Sequence, residues 1–506
     1  MSSKRNFFAM LLVALFAVTL LPYAVVQAQT RTLIVPDQYQ TIQAAIDSAN
    51  AGDTVFVKSG RYAPGAKVFT GAVEDVSAVV INKQISLIGE NASTTIIDVQ
   101  HIPNGVGIWI RAHNVTVSGF TIKNYQDVGI LVSNVDTRPS YPSENCSIQG
   151  NKLLNGDYGI WVDGGIGFNF TNNEIINNQA SGIFLYPTAM DGIIVRNRVS
   201  GNNIGMSGGD NITIAGNNVF DNNYGISIGF CTQMNIYGNN VTDNKGTGIG
   251  FGQYCDHATV YGNNITGNSV GIGLAGFHRP GNERWALPFL KEYYLSLNFS
   301  DNTVYMNNFV DNSEQVLSVF PTDSGLVTFS VVSWDNGSVG NFWSDYQSKY
   351  PDATEIGSSG IGSLPYVIDA NNTDHYPLLA LADNTAPTIR VLSPENKNYT
   401  SNSISLNFMV DESTSEIVYS LDGQQNVTVT GNVTLSGLEA GLHNVTVYAV
   451  DAFGNFGASE IITFNVEAFP FLIFVAVTAV LVVVIGVLGL SFFRWRRKSS
   501  KTAVSV

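Results

Sequence analysis

The chain has 506 residues, 49 of them glycine, and only 13% of its residues are charged, about half of the ~25% found in an average soluble domain. So few charged residues cannot supply the polar faces of many surface helices, which argues against a helical bundle or a doubly wound α/β enzyme. With 25 Lys and Arg against 40 Asp and Glu, the chain also lacks the basic excess that binding to nucleic acid requires. Its three cysteines exclude a disulfide framework.

The first segment, residues 1–28, has the pattern of a secretory signal peptide. Two cations precede an apolar run over residues 7–21, and a small-residue cleavage site ends at Ala28. We therefore expect the mature chain to begin at Gln29 outside the cytoplasm.

Residues 29–100 are expected to form a cap and the first coils of a solenoid. Residues 41–49 begin with Thr41, a good helix N-cap, and carry apolar side chains on one face. Such a helix would cover the exposed strand edge at the end of a solenoid. Alternating segments at 54–57 and 85–88 then predict the first strands.

A repeat organises residues 101–345. Glycine followed by Ile or Met recurs every 20 to 30 residues, a period typical of solenoids. The repeats lack a leucine-rich pattern and helical segments, and they consist of short alternating strands between Gly and Asn turns. The sequence therefore predicts a right-handed, single-stranded parallel β-helix. The repeated glycines are Gly107, Gly129, Gly159, Gly182, Gly205, Gly225, Gly248 and Gly271.

Two asparagine columns and one apolar column follow the same period, and we expect all three to be structural. The first asparagine column is Asn151, Asn173, Asn197, Asn217, Asn239, Asn263 and Asn302. The second is Asn178, Asn202, Asn222, Asn244, Asn268 and Asn307. The apolar column is Leu153, Ile175, Val199, Val219, Val241, Ile265 and Val304.

Two motifs carry a family resemblance that covers roughly residues 31–382. The run IVPDQYQTIQAAI at 34–46 resembles the opening of secreted pectin-lyase-like β-helix proteins. The more specific segment GNFWSDY at 340–346, with DHYPL at 374–378, resembles the C-terminal part of NosD-type repeats, a family named for a periplasmic copper-binding protein and shared by archaeal surface proteins. The resemblance implies that 346–384 ends the β-helix domain. In place of the family's Asp-rich loop, residues 353–362 contain one acid.

Residues 385–467 are expected to form a second, Ig-like module. Short alternating segments predict strands at 388–392, 403–410, 416–421, 425–430, 441–451 and 459–466. The last of these regions resembles the final hairpin of prokaryotic Ig-like modules, and turns every 8 to 12 residues suit a β-sandwich. We expect this module to act as a stalk.

The C-terminal segment predicts a single membrane span. Residues 468–493 contain a long uncharged apolar run, and residues 494–506 form a basic tail that stays in the cytoplasm. Seven of the 25 cations lie in the signal and the tail, so the remaining 18 face 40 acids and the exterior carries a net charge of −22. The sequence therefore predicts a single-pass cell-membrane protein with its bulk outside.

Fourteen N-x-[ST] sequons lie between the signal and the span, which fits a glycosylated surface protein. The predicted acceptors are Asn91, Asn114, Asn145, Asn169, Asn211, Asn240, Asn264, Asn298, Asn336, Asn371, Asn398, Asn426, Asn432 and Asn444.

The outward positions of one strand column form a candidate carbohydrate-binding surface. Aromatic side chains are expected there beside polar groups, a combination that suits the apolar faces and hydroxyl rims of sugar rings. The alternative is that the insertion at 134–147 packs over these aromatics and buries them. The candidate residues are Trp109, Arg111, Trp161, Asp163, Phe184 and Tyr186.

A catalytic reading is the first alternative. β-helix lyases and epimerases place acids, often with calcium, beside a basic side chain, and Asp256, His257, His278 and Arg279 lie within about one coil here. Asp221 and Asp243 would stack and share a cation, although Asp is also a common turn former.

A copper site is the second alternative. Cys231 and Cys255 should be neighbours in adjacent coils, with His257 close in sequence, and Cu(I) prefers such soft ligands. The same two cysteines equally fit a core pair or a disulfide, and Cys146 is left over. Neither calcium nor copper has a specific motif.

Together these features predict a membrane-anchored extracellular β-helix glycoprotein of the cell envelope that binds carbohydrate or envelope proteins without catalysis. A polysaccharide lyase or epimerase and a copper-binding maturation factor remain as alternatives. The acidic exterior would repel anionic polymers unless calcium intervened.

Overall fold

The computed structural model describes residues 30–65, 67–70, 74–133, 143–229, 231–252, 255–274, 301–318, 332–383, 386–424, 426–451 and 455–467. Within these ranges, no helix has the length and apolar character that crossing a bilayer demands. The predicted signal peptide, membrane span and basic tail lie outside them.

The predicted right-handed parallel β-helix is confirmed. Three sheets, called A, B and C here, run along the rod, and from Ser86 to Leu317 each coil contributes one strand to each of them in that order. Within these sheets every strand pair is parallel except the first pair of sheet C, Lys67–Thr70 with Glu74–Ile81. Apolar side chains of the three sheets point inward and form one continuous core.

Sheet A contains Thr32–Val35, Thr54–Val57, Ser86–Gly89, Thr116–Ser118, Ser147–Gln149, Asn169–Thr171, Ile193–Val195, Thr213–Ala215, Asn235–Tyr237, Thr259–Tyr261, Asn302–Tyr305 and Val332–Ser333. Sheet B contains Gly60–Tyr62, Thr95–Asp98, Thr121–Lys123, Lys152–Leu154, Glu174–Ile176, Arg198–Ser200, Asn218–Phe220, Asn240–Thr242, Asn264–Thr266, Asn308–Val310 and Phe342–Trp343. Sheet C contains Lys67–Thr70, Glu74–Ile81, Gly105–Ile110, Val128–Ser133, Tyr158–Asp163, Ser181–Leu185, Ile204–Ser207, Tyr224–Ile228, Thr247–Phe251, Val270–Gly273 and Glu314–Leu317.

Three strand pairs lie outside the main sheets. They are Ser143–Glu144 with Gly165–Ile166, Cys231–Thr232 with Cys255–Asp256, and the antiparallel pair Tyr366–Val367 with Thr373–Asp374.

Helix α1, Ile42–Ser48, lies at the N-terminal end of the rod. The Thr41 hydroxyl accepts a hydrogen bond from the Ala44 N–H, and the apolar face of the helix is buried. The Gln43 amide exchanges two hydrogen bonds with the backbone of Val80, at 2.8 and 3.1 Å. The helix therefore contacts the first coils through buried apolar side chains and through hydrogen bonds to strand backbone groups.

The repeated glycines of sheet C are required by close backbone approach. A Cβ built at each position from Gly107 to Gly248 would lie 2.4–3.0 Å from the carbonyl oxygen of the equivalent glycine in the next coil. Asparagine side-chain amides lie 2.9–3.3 Å from the same built Cβ at Gly159, Gly182, Gly205, Gly225 and Gly248. No larger residue fits there without shifting the backbone.

Two buried asparagine ladders connect the coils. In each ladder the Nδ2 of one asparagine donates to the Oδ1 of the next, at 2.9–3.3 Å. The first ladder is Asn151, Asn173, Asn197, Asn217, Asn239, Asn263, Asn307 and Asn341. The second is Asn178, Asn202, Asn222, Asn244, Asn268 and Asn312.

The last residue predicted for each of the three columns was wrong, and the residue that takes its place lies one strand further along the chain. Asn307 belongs to the first ladder and Asn312 to the second, whereas Asn302 bonds to Ala258 and Cys255 backbone atoms outside both. Likewise Phe309, and not Val304, follows Ile265 in register. The cause is the 44-residue step between Asn263 and Asn307, which breaks the regular period.

Residues 386–467 form two predominantly antiparallel sheets around a separate apolar core. One sheet contains Ile389–Ser393, Ser403–Val410 and Val433–Ser436. The other contains Asn398–Tyr399, Ile462–Val466, Gly441–Asp451, Thr414–Leu421 and Val427–Val429, with Phe456–Ala458 paired to Gly441–Asp451. We call this unit the C-terminal module.

The C-terminal module packs against the outer face of sheet A. Arg196 stacks over the Tyr448 ring at 5.3 Å and donates to the Ser459 carbonyl at 3.1 Å. Phe456 meets Tyr237 edge-on, with ring centroids 6.4 Å apart. Tyr237 in turn begins a stack that continues through Tyr261 to Tyr305. These contacts hold the module beside the rod.

The glycine column yields the first prediction. We expect Gly205→Ala to lower the free energy of unfolding by about 1–3 kcal/mol, because the new methyl group would lie 2.6 Å from the Gly225 carbonyl oxygen. Gly250→Ala is the control, since its Cβ would have no neighbour closer than 3.8 Å. Urea unfolding measures both variants. Equal losses of unfolding free energy in the two variants would contradict the claim that close backbone approach requires glycine in this column.

Candidate functional site

An aromatic cluster occupies the outer face of sheet C. Trp161 and Phe184 are register neighbours in adjacent coils, and their rings meet edge-on with centroids 5.3 Å apart. Tyr158 contacts both rings, at 4.8 and 5.5 Å. We call Tyr158, Trp161 and Phe184 the aromatic face. Because all three are half-buried, part of each ring remains accessible to a ligand.

Trp109 does not belong to this accessible surface. It is 3% exposed and packs among Val80, Val106 and Val128, while its Nε1 donates to the Ser133 carbonyl at 2.9 Å. Trp109 is therefore covered, and the described cover consists of apolar neighbours on sheet C. Cover by the insertion at 134–147 stays a prediction. Residues 134–142 of the insertion lie outside the described ranges.

Arg111 stacks over the Trp109 ring at 4.6 Å, and burial lowers its guanidinium pKa. It therefore shields the covered tryptophan, next to the aromatic face. Asp163 lies on the same strand as Trp161, and Tyr186 follows the strand that carries Phe184. Burial, and secondarily the charge of Asp163, raise the Tyr186 pKa, which places these two side chains near each other.

The aromatic face also contains hydrogen-bonding atoms that the described part of the chain leaves unsatisfied. Trp161 Nε1 and Ser207 Oγ have almost no exposed surface and no hydrogen-bond partner there. Ser207 is the register neighbour of Phe184 in the next coil. Buried polar atoms are normally paired, so both atoms lack the partner usual for such positions within the described ranges. Sequence analysis missed Tyr158 and Ser207, because their position depends on strand register.

The predicted catalytic residues are only partly brought together. Asp256 is buried, and its Oδ2 lies 2.9 Å from the Nδ1 of His257, whose Nε2 is 3.6 Å from Asp301. His278 and Arg279 lie outside the described residues. Asp221 and Asp243 are exposed and have φ values of 54° and 53°, as turn-forming residues do. Among the described residues, His257 therefore lies between two carboxylates, those of Asp256 and Asp301.

The two candidate copper ligands are bonded to each other. Cys231 and Cys255 are in register in adjacent coils, are fully buried, and form a disulfide. In this state neither sulfur is a thiolate, the form that binds copper. Cys146 is buried elsewhere in the core, and burial raises its pKa to about 11, so its thiol stays protonated.

The predicted glycosylation acceptors are accessible wherever the structure describes them. None of the thirteen acceptor asparagines in the described ranges is buried, and Asn298 lies outside them. Occupancy of these sites stays a prediction.

The segment that carried the most specific resemblance closes the C-terminal end of the core. Phe309, Trp343 and Tyr366 form a continuous stack, with successive ring centroids 4.3 Å apart. Asp374 is fully buried beneath it and accepts hydrogen bonds from Trp343 Nε1 at 2.8 Å and from the Asn341 N–H at 2.7 Å. Asp374 therefore terminates the first asparagine ladder.

An open groove of about 560 Å³ lies beside this cap. Lys349 Nζ lies 4.0 Å from the centre of the Tyr366 ring, and the Tyr366 hydroxyl donates to Asp345 at 2.9 Å. Lys349 Nζ also donates to the Val367 carbonyl at 2.6 Å, so both polar groups are already paired within the described chain.

Comparison with known proteins gives one family match. The sequence model described as "Periplasmic copper-binding protein (NosD)" matches residues 46–223, 134–296 and 206–348, which together exceed half of the chain. Halomucin from Haloquadratum walsbyi is 38% identical over 96 residues, which are 17% of this chain and 1% of that protein. The chain thus spans about a hundredth of that relative's length.

Similar solved structures include two lyases and one epimerase. A rhamnogalacturonan lyase is 13% identical with a TM-score of 0.42, and the match covers 66% of this chain and 91% of that one. Pectate lyase Pel9A is 14% identical with a TM-score of 0.39, covering 70% and 90%. The A-module of the Azotobacter vinelandii mannuronan C-5 epimerase AlgE6 is 14% identical with a TM-score of 0.36, covering 58% and 93%. Likeness at this level carries no information about activity.

The buried carboxyl of Asp374 yields the second prediction. Burial raises its pKa from 3.8 to about 6, although hydrogen bonds from Asn341, Trp343 and Tyr376 act in the opposite direction. The folded protein therefore holds this proton more tightly than the unfolded chain. Its stabilising effect is complete below the unfolded pKa and is lost as pH rises through about 6.

Asp374→Asn cannot titrate, so the unfolding free energy of the natural protein minus that of D374N should fall with rising pH. The expected fall across this range is up to about 3 kcal/mol. Urea unfolding followed by tryptophan fluorescence measures it, since Trp343 contacts Asp374 directly. A difference that stays constant or increases with pH would show that the carboxyl is ionised in the folded state.

Proposed function

The chain belongs to the NosD family, and on that premise we propose that it is an exported, membrane-anchored β-helix protein that binds carbohydrate on the aromatic face without catalysis. The observation that carries the proposal is the cluster of three half-buried aromatic rings on the outer face of sheet C. Aromatic rings offer apolar faces against which the C–H faces of sugar rings pack, and polar side chains beside them bond to the sugar hydroxyls.

The chemistry around the aromatic face favours neutral sugars. Asp163 and Tyr186 are the polar groups beside Trp161 and Phe184, and Asp163 is an acid. The exterior as a whole carries a predicted net charge of −22 from 18 cations and 40 acids. An anionic polysaccharide would therefore be repelled, whereas a neutral chain would not.

The anchoring part of the proposal rests on the apolar segment 468–493 and the basic tail that follows it. The Ig-like character of the C-terminal module is supported by its two antiparallel sheets. This module contacts the outer face of sheet A, whereas the aromatic face belongs to sheet C. The module and the proposed binding surface are thus on different sheets of the rod.

The third prediction tests the aromatic face. Full-length protein in detergent is applied to an array of neutral and charged glycans, and affinities for the ligands found are then measured by titration. We expect Trp161→Ala to weaken binding at least tenfold, which corresponds to about 1.4 kcal/mol. Phe184→Ala should act in the same direction.

Phe220→Ala is the matched control, because Phe220 is a half-buried outward aromatic on sheet B. Unchanged binding by Trp161→Ala, or an equal loss in Phe220→Ala, would overturn the proposal. Formation of unsaturated sugar products would identify a lyase instead, and copper retained by purified protein would support the copper-binding alternative.

A further inference from the structure

Three acidic side chains from distant parts of the chain meet where the C-terminal module joins the β-helix domain. Asp383 lies just after the last residues of the β-helix domain, Glu412 follows the strand Ser403–Val410, and Asp451 ends the strand Gly441–Asp451. One carboxylate oxygen from each residue lies within 4.8 Å of the other two. This joint cluster therefore concentrates negative charge between two folded units.

Such a cluster is unfavourable without a counter-charge. Asp451 is buried, and the other two acids are half-buried. Neighbouring like charges in partly desolvated positions favour either a proton or a bound cation.

A buried amide oxygen is the second feature of the joint cluster. Asn455 is 1% exposed, and its Nδ2 donates to Asp451 Oδ2 at 2.8 Å and to the Asp383 backbone carbonyl at 2.6 Å. The amide is thus held between two residues of the cluster. Its other polar atom, Oδ1, has no hydrogen-bond partner in the described part of the chain. A buried amide oxygen without a donor normally costs about 1–3 kcal/mol.

The donor set identifies the kind of ligand. Three carboxylates and one amide carbonyl are all hard oxygen donors, and they include no sulfur or imidazole. Ca²⁺ binds such mixed carboxylate and carbonyl sets and tolerates irregular geometry, whereas Cu(I) prefers thiolates and thioethers. Mg²⁺ demands a stricter octahedral arrangement and keeps more of its water.

We propose that Asp383, Glu412, Asp451 and Asn455 bind one Ca²⁺ ion, which fixes the C-terminal module on the β-helix domain. The ion would satisfy the Asn455 Oδ1 and neutralise the three carboxylates. It would link the connecting segment, through Asp383, to two separate strands of the module. This site is independent of carbohydrate binding, because it shares no residue with the aromatic face.

Calcium binding would also reinforce the observed contact between the module and sheet A. Arg196 is largely buried in this contact, and its Nε and Nη2 have no hydrogen-bond partner among the described residues. Stacking on Tyr448 and one hydrogen bond to Ser459 are modest interactions for holding two domains together. A second attachment at the connecting segment would restrict the orientation of the module.

The fourth prediction is a calcium titration of full-length, chelator-treated protein in detergent. We expect Glu412→Gln and Asp383→Asn to bind one Ca²⁺ per chain fewer than the natural protein, or to bind that ion at least tenfold more weakly. Isothermal titration calorimetry measures both quantities. Both substitutions preserve side-chain size and avoid the fully buried positions, and circular dichroism verifies folding.

Asp221→Asn combined with Asp243→Asn is the matched control. These exposed turn residues are also acids, and asparagine tolerates their positive φ, so this variant should bind calcium as the natural protein does. Ca²⁺ should also slow proteolysis between the two domains in the natural protein and not in Glu412→Gln.

Three results would overturn the proposal. They are an absence of bound Ca²⁺ in the natural protein, an equal loss of binding in the control variant, and equally tight binding of Mg²⁺ at the same site.

Discussion

Each central coil of the rod lies so close to the next that a glycine, from Gly107 to Gly271, and an asparagine amide, from Asn151 onward, occupy fixed places in successive coils. The missing glycine Cβ leaves room for a carbonyl oxygen of the following coil, and the neighbouring amide donates along the rod. These neutral groups satisfy the polar interior without charges. The same constraint accounts for the high glycine content and the low charged fraction of the chain.

At each end of the rod the outermost coil has no further coil to pair with, so its strand edges and core must be covered in another way. At the N-terminus, helix α1 buries its apolar face and pairs Gln43 with the backbone of Val80. At the C-terminus, Asp374 accepts the last hydrogen bonds of the first ladder beneath a stack of aromatic rings. The segments at 340–346 and 374–378, which carried the family resemblance, therefore close the C-terminal end of the core in this chain.

Side chains that point outward take no part in the contacts between the cores of successive coils. The aromatic face lies among these outward side chains. The aromatic face uses one register column of sheet C, while the C-terminal module occupies the outer face of sheet A through Arg196 and Tyr448. The joint cluster uses neither sheet and depends on the module being docked. Binding of carbohydrate and of calcium would thus involve separate parts of the molecule.

Local periodicity was enough to predict the parallel β-helix, its glycine column and the asparagine ladders as far as Asn268, because each coil repeats the same short-range pattern. Beyond the 44-residue step the period no longer specifies register, and only the folded chain places Asn307 and Asn312. Periodicity also made Trp109 and Trp161 equivalent, whereas the neighbours packed around each decided that one is covered and the other accessible. The joint cluster was invisible in the sequence, since its residues become neighbours only through tertiary packing.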